Sequence, residues 1–261
     1  AYLTKVLENS FLGKKEYAFK LPKLGLLLEM VLVSPRPFKP GISQEDFEKI
    51  LGQKGGSAIN YKNEIVKDSN FTFNIEHIYW IGKFEITNEQ FKAVIPSHSF
   101  KSGAGKLPVT GLRKEEILAF CKELTKMAGS HGYEFDIPTE MEWEYAAKIP
   151  NTNFPFLNTE ARLEQTAANF GDRGGTVKMV GSYPNEKSWT GSFDMVGNAS
   201  ELCRLQNGVY KEPNGRFNFV AKGGSFYSEE LDCRVTSRHL LYNPRERTVG
   251  FRVVMRQKRE D

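Results

Sequence analysis

The sequence has little cysteine, little histidine and no long apolar run. The apolar stretch from Leu24 to Val33 contains Glu29 and is far too short to cross a bilayer, so no transmembrane segment is expected. Three cysteines, Cys121, Cys203 and Cys233, stand far apart and are odd in number, which excludes a Cys-x-x-Cys metal or redox motif. Cys203 and Cys233 could form one bridge, although buried free thiols are the favoured state. No two of His77, His98, His131 and His239 lie at metal-ligand spacing, so no zinc or non-haem iron site is expected. There is no phosphate-binding loop, no dinucleotide fingerprint and no Gly-x-Ser-x-Gly elbow. Carboxylates are plentiful, but none stands out as a paired acid and base. Charge of one sign is also lacking: the net value is +4, and the only small basic cluster is Arg256, Lys258 and Arg259. Nucleic-acid binding, which calls for a concentrated basic face, is therefore not expected. No signal peptide is visible, and an opening without Met fits a trimmed chain.

What is present suits a globular domain. A chain of 261 residues that is 39% hydrophobic can bury a core without disulfide staples. The first residues, 1–23, read as an arm or linker and 24–261 as one domain, although Tyr17 to Leu21 has strand character, as has Leu24 to Val33 beyond a Pro22-Lys23 turn. Ser43 with Asp46 marks a helix start, and Gly52 to Asn70 reads as a long surface loop. Phe71 to Phe84 alternates as a strand would, with Phe71, Phe73, Ile75, His77 and Tyr79 on one side. Thr87 with Gln90, and Thr139 with Glu142, are capping boxes. A helix from about Arg113 to Met127 aligns Ile117, Phe120, Cys121, Leu124 and Ala128 on one stripe. The helix from Glu140 to Lys148 turns Trp143, Ala146 and Ala147 inward. Beyond Ile149 only turns and short strands are expected, which gives an α+β fold.

The C-terminal stretch between Gly223-Gly224-Ser225 and Gly250-Phe251-Arg252 has its own character. Its large apolar and polar residues mix without a core-like period, which fits either a recognition surface on a scaffold or an ordinary loop with core anchors. Separately, Asp194 to Glu201 offers carboxylate and carbonyl oxygens that could hold a cation, or simply forms a turn.

Several segments come in one order: Glu29 to Val33 with Phe38-Lys39-Pro40-Gly41; Phe84-Glu85-Ile86-Thr87-Asn88-Glu89-Gln90-Phe91; Leu107-Pro108-Val109-Thr110 with Ala119-Phe120-Cys121; Ile137 to Ala147; Phe193 to Asn198; Gly223-Gly224-Ser225; and Gly250-Phe251-Arg252. Over about residues 24 to 256 they resemble the formylglycine-generating-enzyme (sulfatase-modifying-factor) family. The resemblance implies a C-type-lectin-like fold of that subtype, with two main helices, short antiparallel strands and much irregular structure. Enzymes of the family oxidise a sulfatase cysteine with two copper-binding cysteines. Here Ser228 stands at the first of those positions, while an ungapped forward count puts Cys233 at the second. A serine hydroxyl does not bind Cu(I) as a thiolate does, so no catalytic residue is expected. The family usually has a Trp on each side of the Glu in the stretch that reads Ala199-Ser200-Glu201-Leu202-Cys203 here. A calcium site of the family matches Asp194, Gly197, Ala199 and Glu201, so calcium is possible, with no cofactor required. A second calcium site includes an Asn near Asn169, but its remaining ligands are absent around Gly171 to Thr176.

Non-catalytic proteins of this fold include the variable proteins of diversity-generating retroelements, whose adenine-directed variation turns an asparagine codon into a defined set of others. Phe226, Tyr227, Ser228, Leu231, Asp232, Ser237, His239, Leu240, Leu241, Tyr242, Arg245 and Thr248 belong to that set; Glu229, Glu230 and Glu246 do not. These twelve are the expected ligand-binding residues, Tyr227 and Tyr242 the expected anchors. The expected function is non-enzymatic binding of a protein or other macromolecule, outside the cell or at its surface. The alternatives are a copper-dependent oxidase of the formylglycine-generating type and an accessory sensor domain of a larger signalling protein.

Overall fold

The computed structural model describes residues 16–21, 26–54, 71–128, 132–149, 152, 155–157, 162–206, 209–210, 218–241 and 245–257. Expectations for residues 1–15, the turn at Pro22-Lys23, residues 55–70, His131, Tyr242 and the basic pair Lys258 and Arg259 lie outside the described residues.

Two sheets frame the core. The first has five antiparallel strands in the order β1-β2-β3-β9-β4: β1 Glu16–Lys20, β2 Leu27–Val33, β3 Tyr79–Gly82, β4 Tyr133–Asp136 and β9 Val254–Gln257. The second runs β7-β6-β5-β8, with β5 Ser200–Arg204, β6 Phe219–Lys222, β7 His239–Leu241 and β8 Val249–Gly250. In this sheet β8 lies parallel to β5, and the other pairs are antiparallel. Four helices are described: α1 Gln44–Lys54, α2 Asn88–Val94, α3 Lys114–Ala128 and α4 Glu140–Ala147. The architecture is the α+β arrangement read from the sequence, with few helices, short strands and long irregular connections.

Local rules place the helices. Thr87 accepts from Gln90 N while Gln90 answers the Thr87 backbone, and Thr139 and Glu142 repeat the pattern. The α3 stripe of Ile117, Phe120, Cys121, Leu124 and Ala128 is buried. It meets α2 and the chain before β9 through Phe91, Phe120 and Phe251, whose rings lie 5.1 and 5.4 Å apart in sequence.

Three expectations change. β1 pairs along its whole length with β2, so the boundary at residue 24 falls inside a sheet. The strand expected over Phe71 to Phe84 is paired only at Tyr79–Gly82, with one bridge from Phe73 to Phe38. Its upstream alternation reflects one side resting on the core rather than ladder pairing. The third change is α4, which is buried on every side and not only at Trp143, Ala146 and Ala147.

That burial includes a row of three glutamates, each met by a cation. Arg238 grips Glu140 with two bonds of 2.7 and 3.0 Å. Arg256 grips Glu142 at 2.6 and 2.5 Å. Lys222 Nζ reaches Glu144 at 3.1 Å, joined by the Tyr210 hydroxyl at 2.8 Å. Buried charge persists only when paired and hydrogen-bonded, and all three satisfy that condition. The cysteines are all buried and free, with no Cys203–Cys233 bridge.

Candidate recognition surface

The path of the C-terminal stretch is fixed from below. After β6 the chain turns at Gly224, with φ of 68°, where a Cβ would lie 2.7 Å from the Cys233 sulfur. Only glycine fits this left-handed, crowded position. Ser225 and Ser228 then tie a tight turn: Ser225 N donates to Ser228 Oγ at 3.0 Å, and Ser228 N donates to Ser225 O at 3.0 Å. Phe226 N donates to Asn198 O, while Asp172 N and Gly171 N donate to Phe226 O and Ser228 O, each at 2.9 Å. Downstream, a short 3-10 turn spans Glu230–Cys233, and Glu230 accepts from Leu163 N at 2.9 Å. Arg238, buried against Glu140, stacks over the Tyr210 ring at 3.8 Å. Thr248 O accepts from Ser200 N as the chain enters β8.

Side chains on this path divide into two groups. Phe226, Cys233, Val235 and Leu241 are core, with 3%, 0%, 0% and 4% of their surface exposed. Tyr227, His239 and Arg245 are exposed, and Ser228, Leu231, Asp232, Ser237, Leu240 and Thr248 are half-buried. Two expected surface residues are thereby corrected. Phe226 is held inward by backbone bonds to the 169–176 and 194–199 loops, and Leu241 packs into the core as β7 pairs with β6. Leu240, expected on the surface, also rests partly on the core.

Tyr227 is the exposed aromatic among the described residues of the group. Two cations flank it, the Arg247 guanidinium at 5.5 Å and the Arg173 guanidinium at 5.9 Å from the ring centre. Arg173 is also paired with Glu229 at 2.6 Å. Neither arginine stood out in the sequence, because one lies in the Gly171 to Thr176 loop and is brought in only by the tertiary fold. The same loop borders a cleft of about 390 Å³ lined by Asn169, Asp172, Lys178 and Tyr183.

Ser228 and Cys233 stand where the resemblance puts the enzymes' two cysteines. Ser228 Oγ bonds Ser225, and Cys233 is fully buried, where desolvation pushes its thiol pKa well up. Burial disfavours the thiolate, the form of cysteine that attacks and that ligates metals.

The candidate cation residues lie in a tight turn. Asp194 and Asn198 both adopt left-handed backbone, with φ of 54° and 57°, and a Cβ at Gly197 would lie 2.6 Å from Asn169 O. Asn198 Nδ2 donates to Glu85 at 3.0 Å, and its Oδ1 accepts from Lys178 N at 2.8 Å. Glu201 is committed elsewhere: Arg252 bonds both its oxygens, and Trp143 Nε1 donates to one at 2.6 Å. Burial pushes Asp194 up to about 6, and Glu85 is raised by burial and by neighbouring Asp194 and Glu201. Calcium wants several available oxygens. The Glu201 carboxylate is not one of them, and the Arg252 guanidinium already supplies positive charge among these acids. Of the four positions that the resemblance assigns to calcium, Asp194 carries a carboxylate, Gly197 and Ala199 carry only main-chain oxygens, and the Glu201 carboxylate is bonded to Arg252 and Trp143. Among the described residues no cluster of His, Cys, Asp or Glu side chains is arranged to hold a metal ion. No helix among them is long and apolar enough to cross a membrane.

Comparison with known proteins agrees with this frame. Residues 27–257 match the family model for the sulfatase-modifying factor enzyme 1-like domain. No curated protein matches by sequence. Among solved structures, variable protein 1 of Treponema denticola is 23% identical with a TM-score of 0.68, over 94% of this chain and 100% of that one. PvdO from Pseudomonas aeruginosa is 18% identical with a TM-score of 0.68, over 94% and 99%. CarF is 16% identical with a TM-score of 0.61, over 88% and 98%. At these identities the likeness is one of fold.

Proposed function

The chain belongs to the sulfatase-modifying factor enzyme 1-like domain family, and on that premise we propose that it is a binding protein rather than an oxidase. Its recognition surface is the set of exposed and half-buried side chains between Tyr227 and Thr248. One observation carries this reading: over that stretch, buried anchors are interspersed with exposed groups, so the backbone is held while the outer side chains stay accessible. Tyr227 is the central contact, an amphipathic ring of low conformational entropy of the kind enriched at interfaces. Ser228 in place of a thiol, and the inaccessible Cys233, support the absence of copper chemistry. The partner is a protein or other macromolecule.

If the stretch is diversified by a retroelement, variation should fall on the outward positions and spare Phe226 and Leu241. Sequencing the locus in sibling strains tests this; adenine-independent variation, or none, removes diversification. Binding itself is tested with a random peptide library displayed on phage. Peptides selected on the native protein should lose binding to Tyr227→Ala, while its melting temperature is kept. Peptides indifferent to that substitution would refute the surface. Copper-dependent oxidation of a cysteine-containing peptide in air would refute the non-enzymatic reading.

A further inference from the structure

We infer that the partner presents isolated carboxylates to this face, as an Asp- or Glu-containing peptide segment, and that Arg247 is the residue that receives them. The inference rests on the recognition surface proposed above and names the chemistry it reads. Arg247 is exposed and lies over two rings at once, 5.9 Å from the centre of Phe226 and 5.5 Å from that of Tyr227. Phe226 is a fixed floor, since its backbone N–H and carbonyl are both bonded and its ring is buried. A guanidinium held near aromatic faces keeps its in-plane N–H donors for a bidentate carboxylate. Being held in advance, it loses less freedom on binding than a waving lysine would.

The two arginines beside Tyr227 are not equivalent. Arg173 is paired with Glu229 at 2.6 Å, whereas Arg247 pairs with no carboxylate among the described residues. Lys178, in the adjoining cleft, likewise has no acidic partner among the described residues. The surrounding face decides which anion fits. Glu229, Asp232 and Glu246 lie on the same stretch, and Asp172 lines the cleft. A dense polyanion, such as a nucleic acid or a polyphosphate, would be repelled by these groups. Single carboxylates spaced along a peptide could meet Arg247 and avoid them.

The test pans a random phage-displayed peptide library on the native protein and on Arg247→Gln. The native protein should select peptides enriched in Asp and Glu, with affinity that falls as salt rises. The same peptides should bind Arg247→Gln roughly tenfold to a hundredfold more weakly, the loss of one charge-assisted bidentate contact, and Arg247→Lys in between. Because Arg247 is exposed, the melting temperature should stay put, which separates lost recognition from lost folding. Selected peptides with no acidic enrichment, or acidic ones that bind Arg247→Gln as tightly, would overturn the inference. If such peptides still fail on Tyr227→Ala, the recognition surface stands and only its acidic preference falls. If no peptide is selected, or none responds to either substitution, both fall together.

Discussion

Replacing Arg252 with Met should be among the most damaging single changes this fold can suffer. The guanidinium is fully buried and serves four places: both oxygens of Glu201 on β5, Gly82 O at the end of β3, and Phe193 O in the turn before Asp194. It thus ties the five-stranded sheet to the four-stranded one. Methionine fills much of the same volume, so the loss is electrostatic rather than a cavity. Glu201 would remain buried with Trp143 Nε1 as its surviving side-chain donor. Removing one member of a buried pair costs about 3–5 kcal/mol, and the two orphaned carbonyls add to it. Against a total of roughly 5–15 kcal/mol, that is about a fifth of the stability or more. In a domain of this size the melting temperature should fall by about 6–20 °C. Urea unfolding followed by tryptophan fluorescence is the natural assay, since Trp143 bonds the affected carboxylate directly. Adding Glu201→Gln to Arg252→Met should recover part of the loss, because it removes the stranded charge. A loss below about 1 kcal/mol, or a double variant no better than the single, would refute the reasoning.

Acidity should have opposing effects in two windows. Against the cost of burial, hydrogen bonds from Arg256 and His77 hold Glu142 down to about 2, from an ordinary 4.5. Its contribution, about 3 kcal/mol, is present above pH 4.5 and is lost as pH falls toward 2. Asp194, raised by burial from 3.8 to about 6, acts the other way: its contribution is full below 3.8 and is lost as pH rises through 6. Melting temperature should therefore peak near about pH 4, where the two slopes cancel; a profile that falls from neutrality to pH 4 would contradict the Asp194 assignment, and one that stays flat from pH 4 to 2 would contradict that of Glu142. An aromatic disulfide reagent should label none of the 3 thiols in the native protein and all of them in denaturant; rapid native labelling of Cys233 would reopen the oxidase reading. Leu241→Ala should cost about 2–5 kcal/mol and Tyr227→Ala within about 0.5 kcal/mol, measured by the same urea titration. Equal costs would mean the division into anchors and outward residues is wrong.

How much could be read in advance depended on whether a signal was local. The boxes Thr87 with Gln90 and Thr139 with Glu142 are complete within four residues, and both helices begin where the boxes put them. The α3 stripe was equally legible, since one turn of helix decides which side chains share a face. Phe71 to Phe84 shows the limit: alternation records which side is buried, and pairing depends on a partner strand elsewhere in the chain. In the recognition stretch, neighbouring Phe226 and Tyr227 are alike by residue type, yet one is an anchor and the other is exposed. That difference is made by hydrogen bonds from Asp172 and to Asn198, which no pattern in the stretch itself encodes. Arg173 and the counter-ions of α4 were illegible for the same reason.

The acidic row of α4 also bears on how the chain comes to be folded. Glu144, Glu140 and Glu142 find their cations 78, 98 and 114 positions further on, at Lys222, Arg238 and Arg256. During synthesis from the amino end, the helix leaves the ribosome long before any of these neutralising groups exists. Until then an interior position is costly, because the three carboxylates would be sealed from water without these cations, with only His77 for Glu142 and Lys148 near Glu144 among the earlier-made positive groups of the described residues. Folding is thus gated by translation of the distal segment, and a nascent chain stalled ahead of Lys222 should remain open to chaperones and proteases.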